Sequence, residues 1–418
     1  MIMKLNKHPC YSPEASANHG RIHLPVASGC NIQCNYCNRL YDCVNESRPG
    51  VTSAVLSPKQ ALYYLDKVEP MLDTDISVIG IAGPGDPFAD PDNTIETLSL
   101  IKENHPEKML CVATNGLGVA EYARKLASIG VNHVTVTINA VDPEITARIV
   151  SWVKFRNKIY RGLEAGKVLL ERQLLAVKEL KANNTTVKIN CIVIPGINDT
   201  HVEAVSKTMS ELGADVINCL PLRPVEGSAF ENQSQPDHDT MQKVRWEASQ
   251  NMKLVKHCAM CRADAAGRLG AQNSSSVHEL LQSIFSMPLN PYDYRPYVAV
   301  ASREGMLINE HLGQATQFYI YNIEDPSLPV IEIRNAPERG TGIERWNKLA
   351  ALLYDCRALI VNQSGEPPKA VLADAGIKVI VTEGLIDQAL SAIQAGAEPA
   401  KVVNVKQCTG GGCQGGMC

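Results

Sequence analysis

The sequence predicts an α/β protein in which a partial (β/α) barrel of the TIM type is followed by a smaller α/β domain. Between about residues 75 and 220, short β-branched runs alternate with longer helical patterns, which is typical of parallel βα units. A stretch rich in proline and tyrosine follows at 286–296, and the alternation restarts after it. A chain of 418 residues is also too long for one ordinary core.

The first domain is expected at residues 1–285, with the barrel beginning near residue 20. Its strands are expected at 21–27, 76–82, 109–114, 133–138, 187–194 and 215–220. Ser57 before Pro58 predicts one helix start, and Asp199 predicts another. Loops at the carboxyl ends of parallel strands emerge on one face, so we expect the loops after these strands to build the functional site.

The second domain is expected at residues 297–400, after a linker at 286–296. Its strands are predicted at 297–302, 318–323, 358–363 and 377–384, and its helices around 343–354, 366–375 and 385–395. Residues 401–418 are dense in glycine, so the sequence predicts a flexible tail there.

Composition limits the possible partners and compartment. The net charge is −4, with 40 Lys and Arg against 44 Asp and Glu, so no basic excess indicates a nucleic acid. No uninterrupted apolar stretch approaches the ~18 residues of a membrane helix, and the N-terminal residues lack a signal-peptide pattern. We therefore expect a cytoplasmic protein, in which the 14 cysteines are metal ligands or buried thiols.

Cys30, Cys34 and Cys37 form a C-x3-C-x2-C motif, with Tyr36 before the last cysteine. Three thiolates on one loop can each bind one corner of a [4Fe-4S] cluster, which leaves the fourth iron open to a small molecule. The motif resembles that of the radical S-adenosylmethionine (SAM) superfamily, in which SAM binds the open iron. The alternative is a structural zinc loop, which normally uses two C-x2-C pairs or a Cys/His mixture.

Other cysteines could bind further iron. Cys258 and Cys261 form a C-x2-C pair that needs at least one more ligand, for which Cys10 is available. Cys43 lies close enough to the first motif to hold a neighbouring metal. Cys111 lies in a predicted strand, where a small buried thiol is the alternative. Three further cysteines read as buried thiols: Cys191, Cys219 and Cys356.

Longer runs identify the chain as similar to the NifB family, the radical SAM maturases of the nitrogenase cofactor. The resemblance rests on HPCYSPEA, on RIHLPVASGCNIQCNYCNRLYDCVNESRPGV, on TNGL, INAVDPE and IPGIND, and on the C-x2-C pair. Residues 297–400 more weakly resemble the NifX-type cofactor-binding domain, through VAVAS and through EHLGQATQFYIY, which contains His311.

This resemblance implies that two [4Fe-4S] units, K1 and K2, are fused into an eight-iron precursor with a carbide from SAM and an added sulfur. Cys30, Cys34 and Cys37 would then hold the radical cluster. The implied K1 ligands are Cys43, Cys111 and His23, with His8 and His19 as alternatives to His23; those of K2 are Cys10, Cys258 and Cys261. The alternative for His23 is a hydrogen-bonded core residue, which a lone strand histidine is more often than it is a ligand.

The loop Gly83-Pro84-Gly85-Asp86-Pro87 stands where the superfamily usually has a GGE-type motif that receives the methionine amino group. Glycines allow close backbone approach, and Asp86 would supply the carboxylate. Further expected SAM contacts are Thr137, Asn139 and Ile194, although each could instead be barrel packing. Two charged residues after Cys43 are expected to assist cluster transfer or proton movement, with a surface ion pair as the alternative: Glu46 and Arg48.

Partners implied by the resemblance are SAM, a NifU-like cluster donor, a NifEN or NifX acceptor, and an electron donor such as ferredoxin. One alternative is a molybdopterin-type cyclase, which carries a third cysteine about a dozen residues past its pair; here the next cysteine is Cys356. The other alternative is an iron-sulfur carrier or scaffold, in which residues 297–418 store the product. In the main reading, the tail cysteines Cys408, Cys413 and Cys418 would catch or hand over the product, with a functionally silent tail as the alternative.

Overall fold

The computed structural model describes residues 8–39, 54–258, 263–271, 273–340, 342–397 and 399. The chain divides after Phe285 into two compact units. In chain order, the strands of the first unit are β1 His19–His23, β2 Ile32–Cys34, β3 Asp75–Ile81, β4 Met109–Thr114, β5 Val131–Thr137, β6 Val150–Phe155, β7 Lys158–Tyr160, β8 Thr186–Val193, β9 Val216–Pro221, β10 Lys253–Leu254 and β11 Ala266–Gly267.

The helices of this unit alternate with the strands along the chain, as the alternation of β-branched runs and helical patterns in the sequence predicted. They are α1 Pro13–Asn18, α2 Pro58–Val68, α3 Pro91–Asn104, α4 Ala123–Ile129, α5 Pro143–Ile149, α6 Gly162–Ala182, α7 Val202–Glu211, α8 His238–Ser249 and α9 Ser275–Phe285. None of the helices in the described ranges is long and apolar enough to cross a membrane.

One open sheet forms the centre of the first unit. Among the described residues its eight strands run in the order β10-β9-β8-β5-β4-β3-β1-β11. Neighbouring strands from β10 to β1 are parallel, and β11 alone is antiparallel. This order confirms the predicted α/β fold with a partial barrel, because a linear run of parallel strands leaves all their carboxyl ends on one edge.

The edge of the sheet at β1 is covered by β11. Arg21 pairs with Gly267 and Ile22 with Ala266, and the backbone nitrogen of His23 donates to Ala265 at 2.8 Å. The buried Arg21 guanidinium also donates to the carbonyl oxygens of Gly267 and Arg268, at 2.6 and 2.7 Å.

The two predicted helix starts have different outcomes. Ser57 caps α2 in a capping box with Gln60, whose side chain accepts in return from the Ser57 backbone nitrogen. Asp199 does not start α7, which begins at Val202. The Asp199 carboxylate instead accepts from the backbone nitrogen of Gly196 at 3.0 Å and so stabilises the preceding turn.

Residues 286–296 form turns with no helix or strand, and all of them lie in the described part of the chain. The strands of the second unit are β12 Tyr297–Ala301, β13 Leu307–Ile308, β14 Gln317–Asn322, β15 Val330–Asn335, β16 Cys356–Val361, β17 Lys378–Val381 and β18 Gly384–Leu385. Its helices are α10 Ile343–Leu352, α11 Glu366–Asp374 and α12 Ile386–Gln394.

The second unit is a mixed sheet packed between helices. Its described strands have the order β15-β14-β12-β16-β17, with β13 and β18 pairing separately. One face packs on α10 and α11 through residues such as Phe318 and Leu349, and the other packs on α12 through Val300 and Leu390. The predicted smaller α/β domain is therefore present.

Candidate active site

The cysteine loop is anchored by a small antiparallel sheet that the sequence did not reveal. Strand β2 lies within the motif and pairs with β6, with Ile32 opposite Val153 and Cys34 opposite Val150. The order of this sheet is β2-β6-β7. The loop that carries the thiols is thus held by regular backbone hydrogen bonds on one side.

The side chain of Gln33 closes the turn of the motif. Its amide nitrogen donates to the carbonyl oxygens of Cys34 and Cys37, at 3.1 and 2.7 Å. The backbone nitrogen of Cys37 also donates to the Cys34 carbonyl at 3.1 Å. These bonds satisfy backbone polar groups of the turn, so the thiol groups remain available as ligands.

All three thiols line a single cavity of about 490 Å³. The residues that line it include Cys30, Cys34, Tyr36, Cys37, Arg39, Gly85, Asp86, Asn115 and Thr137. Strands β3, β4 and β5 deliver their carboxyl-terminal loops to this cavity, as a barrel site requires.

The three thiols offer a donor set that suits a cubane cluster. A [4Fe-4S] cluster places each thiolate on a different iron, and all three cysteines face the same cavity. The donor set and the shared cavity therefore match a cluster with one open iron.

Without metal, these thiols are protonated at neutral pH. Burial, and to a smaller extent the nearby Asp86 carboxylate, raise the pKa of Cys30 to about 11. Burial likewise raises the pKa of Cys34 and of Cys37. Iron binding must release these protons, because the thiolate is the ligand.

The GPGDP loop is locked to the chain just before the cysteine motif. The backbone nitrogens of Gly85 and Asp86 donate to the carbonyl oxygens of Ala27 and Gly29, at 2.6 and 2.7 Å. A Cβ atom at Gly85 would lie 1.9 Å from the Gly29 oxygen. Only glycine fits at residue 85, since the two backbones touch there.

The carboxylate of Asp86 is engaged by the protein itself. It accepts from the Thr114 hydroxyl at 2.9 Å, from the Asn115 backbone nitrogen at 2.6 Å and from the Phe88 backbone nitrogen at 2.9 Å. Burial raises its pKa despite these bonds. Asp86 thus joins the GPGDP and TNG loops, and a ligand amino group would have to share its oxygens.

The SAM contacts expected at the ends of β5 and β8 differ in whether they line this cavity. Thr137 lines it, and also lines an adjoining cavity of about 340 Å³ together with Asn139. Asn139 donates to the Tyr36 hydroxyl at 3.0 Å and accepts from the Ile192 backbone nitrogen at 2.8 Å. Ile194 lines neither cavity; it is fully buried, in the hydrophobic cluster that contains Cys34 and Tyr36.

Three polar residues in this network were not identified from sequence. Asn198 bonds the backbone nitrogen of Ile194 at 2.7 Å, and Gln173 donates to the carbonyl oxygens of Asn115 and Thr137, both at 2.9 Å. Asn115 follows a predicted strand within the TNG loop, so its position was a usable signal. Gln173 lies in the middle of α6, where sequence offers none.

A second group of potential ligands lies along one row of the sheet. Strand register places His23, Gly80, Cys111 and His133 side by side. A Cβ atom at Gly80 would lie 3.0 Å from both the Cys111 sulfur and the His23 ring. The Cys111 and His23 side chains therefore both lie against Gly80.

The alternative histidines lie in different environments. His19 is at the start of β1, about 13 Å from His23 at the rise of a strand, and its Nδ1 contacts the Asp75 carboxylate at 2.8 Å. His8 is buried with its ring 4.5 Å from that of His133. Burial lowers the pKa of His8, and His133 and Lys188 lower it further. The geometry keeps His8 near the row and places His19 outside it.

The third group of cysteines comes from two distant parts of the chain. His257 donates from Nε2 to the Pro9 carbonyl oxygen at 2.9 Å, which brings the segment with Cys10 beside the segment ending at Cys258. Cys10 also packs on Tyr11, Val216 and Val255. Cys261, Cys43, Glu46 and Arg48 lie outside the described residues.

Comparison with known proteins agrees with this geometry. The model of the Radical SAM superfamily matches residues 24–209, and that of the Dinitrogenase iron-molybdenum cofactor family matches residues 295–396. The FeMo cofactor biosynthesis protein NifB of Chlorobaculum tepidum is 49% identical over 398 residues, covering 95% of this chain and 94% of that protein. NifB of Klebsiella pneumoniae is 39% identical over 410 residues, covering 90% and 87%.

A thiol-lined cavity at the carboxyl edge of a partial barrel, together with these matches, defines a radical SAM enzyme that uses a [4Fe-4S] cluster and SAM. The second unit is a NifX-type domain of the Dinitrogenase iron-molybdenum cofactor family. The chain belongs to the NifB family of FeMo cofactor biosynthesis proteins.

Proposed function

We propose that this chain fuses two [4Fe-4S] clusters, K1 and K2, with a carbide from SAM and an added sulfur into the eight-iron precursor of the nitrogenase cofactor. K1 and K2 are substrates in this scheme. The observation that carries the proposal is the pair His23 and Cys111, which meet over Gly80 outside the cysteine motif. A radical SAM enzyme with a purely organic substrate has no need of this second ligand set.

Cys30, Cys34 and Cys37 would hold the resident cluster, which, when bound with SAM, supplies the electron that cleaves SAM to a 5'-deoxyadenosyl radical. Tyr36, Gly83, Gly85, Thr137 and Asn139 would shape the SAM site. Within it, Asn139 orients the Tyr36 hydroxyl, and the tight packing of Gly85 keeps the first loop in place.

Asp86 and Ile194 would act less directly than the other SAM-site residues. Asp86 holds two loops together through its three protein donors. Ile194 supports Tyr36 from the hydrophobic cluster. We therefore expect both residues to affect SAM binding by holding the neighbouring loops and Tyr36 in place.

The substrate clusters would be held weakly, so that the fused product can be released. We assign Cys43, Cys111 and His23 to K1, and Cys10, Cys258 and Cys261 to K2. Three protein ligands leave one iron of each cluster open, so ligand exchange can release the fused product. Glu46 and Arg48 would assist this transfer.

The partners follow from this chemistry. A NifU-like scaffold would deliver the clusters, a ferredoxin-type donor would reduce the resident one, and a NifEN or NifX acceptor would take the product. The match of residues 295–396 to a cofactor-binding family supports a role of the second unit in the handover. The pure carrier alternative is not retained, because the chain is a radical SAM enzyme.

The test uses the full chain, reconstituted without oxygen and supplied with methyl-labelled SAM, reductant and a sulfur source. We expect label in an extractable iron-sulfur cluster together with released 5'-deoxyadenosine. Cys258→Ala should abolish cluster-bound label and retain SAM cleavage.

Cys219→Ala is the matched control, because Cys219 is buried in β9 and belongs to no proposed ligand set. It should behave as the unmodified protein. Full product from Cys258→Ala would disprove the K2 assignment, and SAM cleavage with no labelled cluster in the unmodified protein would move the substrate elsewhere.

A further inference from the structure

The side-chain amide of Asn115 lies beside the first cysteine of the motif. Its nitrogen is 3.8 Å from the Cys30 sulfur and donates to the Asn31 side-chain oxygen at 2.7 Å. Its oxygen accepts from the Leu117 backbone nitrogen at 2.8 Å. Because a backbone nitrogen can only donate, this last bond fixes which end of the amide faces Cys30.

The backbone of Asn115 is held equally firmly. Its nitrogen donates to Asp86 at 2.6 Å, and its carbonyl oxygen accepts from Gln173 at 2.9 Å. The residue is 5% exposed and lines the cavity with the three thiols. The backbone that carries the amide is therefore fixed by α6 and the GPGDP loop. The amide itself cannot turn away from Cys30 without breaking its hydrogen bonds with Asn31 and Leu117.

We infer that Asn115 is a positioning residue that donates a hydrogen bond to the Cys30 thiolate and raises the reduction potential of the resident cluster. The inference rests on the proposed cluster ligands. Reduction adds negative charge that spreads onto the ligand sulfurs, so an N–H group at a sulfur stabilises the reduced form more than the oxidised form. A buried site strengthens this effect, since water does not screen it.

The test is a redox titration of the reconstituted full chain, followed by electron paramagnetic resonance. The signal to follow is the one that changes on adding SAM, because only the cluster with an open iron near the SAM site should respond. Asn115→Leu removes the donor with little change in size. We expect about a tenfold lower ratio of reduced to oxidised cluster at a fixed potential, which is ~59 mV for one electron.

The control variants distinguish loss of the hydrogen bond from a general effect of substitution, from added charge and from a wrongly assigned cluster site. Asn251→Leu removes an amide that bonds Ser206 far from the motif, and should leave the potential unchanged. An unchanged reduction potential in Asn115→Leu overturns the inference. A potential that shifts in Asn115→Asp but not in Asn115→Leu also overturns it, because such a shift reports only the added charge. If the unmodified protein shows no SAM-sensitive signal, or Cys34→Ala retains it, the proposed cluster site itself is wrong.

If Asn115→Leu fails to fold, the hydrogen bond can still be tested in the unmodified protein. In unmodified protein carrying 15N-asparagine, electron-nuclear double resonance should detect a nitrogen coupled to the SAM-sensitive reduced cluster. Absence of that coupling overturns the inference.

Discussion

Gly80 determines how closely His23 and Cys111 approach each other. Its missing side chain leaves a gap in the row, and both neighbours lie 3.0 Å from where a Cβ atom would stand. This is tighter than ordinary contact, so an added methyl group must push at least one of them away. A glycine in the interior of a strand otherwise weakens the strand.

Gly80→Ala should therefore impair K1 binding and leave the resident cluster intact. We expect lower iron content per chain and loss of product, with SAM cleavage retained, measured by iron analysis and product assay. Gly365→Ala is a suitable control, because its Cβ atom would make only ordinary contacts. Unchanged iron content in Gly80→Ala would argue against this pair as cluster ligands.

Residue identity predicted part of the site and not the rest. The thiols could be recognised because cysteine spacing reports metal chemistry directly. The role of Asp86 as a loop clamp could not, because its partners Thr114 and Asn115 lie 28 and 29 residues away. Long-range hydrogen bonds leave no local pattern in a sequence.

At the level of elements, the GPGDP loop acts as a rigid connection between the barrel and the cysteine motif. Gly85→Ala would place a methyl group 1.9 Å from the Gly29 oxygen. We expect the free energy of unfolding to fall by about 1–3 kcal/mol, as for overpacked sites, and SAM affinity to fall with it. Urea denaturation and equilibrium SAM binding measure the two effects, and unchanged SAM affinity would show that the loop is not part of the site.

In the second unit, Arg334 of β15 holds the end of α10 through Asp355. Its guanidinium donates to both carboxylate oxygens, at 2.6 and 2.8 Å, and to the Leu352 carbonyl at 2.7 Å. Burial would raise the pKa of Asp355, but the Arg334 hydrogen bonds outweigh it and lower the pKa. Because the folded pKa is depressed, the stabilisation is present above the unfolded pKa and is lost as pH falls through the folded value.

Asp355→Asn should weaken this connection by about 1.5–3 kcal/mol at pH 7, typical of hydrogen bonds to charged groups. Hydrogen exchange of β15 and α10 measures the loss. The difference from the unmodified protein should shrink at pH values below the unfolded pKa of Asp355. A difference that is constant with pH would show that the charge of Asp355 is not responsible.

The elements most accessible to sequence analysis were the buried parallel strands. Runs such as those of β5 and β8 are rich in β-branched residues because helices and core cover both faces. Strands β2, β6 and β7 escaped prediction because they are short and form a separate antiparallel sheet without strict alternation. The start of α7 was misplaced because Asp199 serves the preceding turn instead.

For the whole molecule, the ligand sets proposed for the resident cluster, K1 and K2 share no residue, so we expect the three clusters to load independently. Three [4Fe-4S] clusters amount to about 12 irons per chain. Cys34→Ala, Cys111→Ala and Cys258→Ala should each remove about four. Iron analysis with Mössbauer spectroscopy measures this, and a single substitution that empties all three sites would show that the sites are coupled.

The covering of β1 by β11 gives iron binding a second consequence. An uncovered outer strand is a template for pairing with another chain, and β11 follows within a few residues of the pair Cys258 and Cys261. A cluster that binds only when this segment is docked adds its binding free energy to the docked state by mass action. Under the proposed K2 assignment, the supply of substrate clusters and resistance to aggregation are then thermodynamically linked, so we expect iron-starved cells to accumulate this protein in insoluble form.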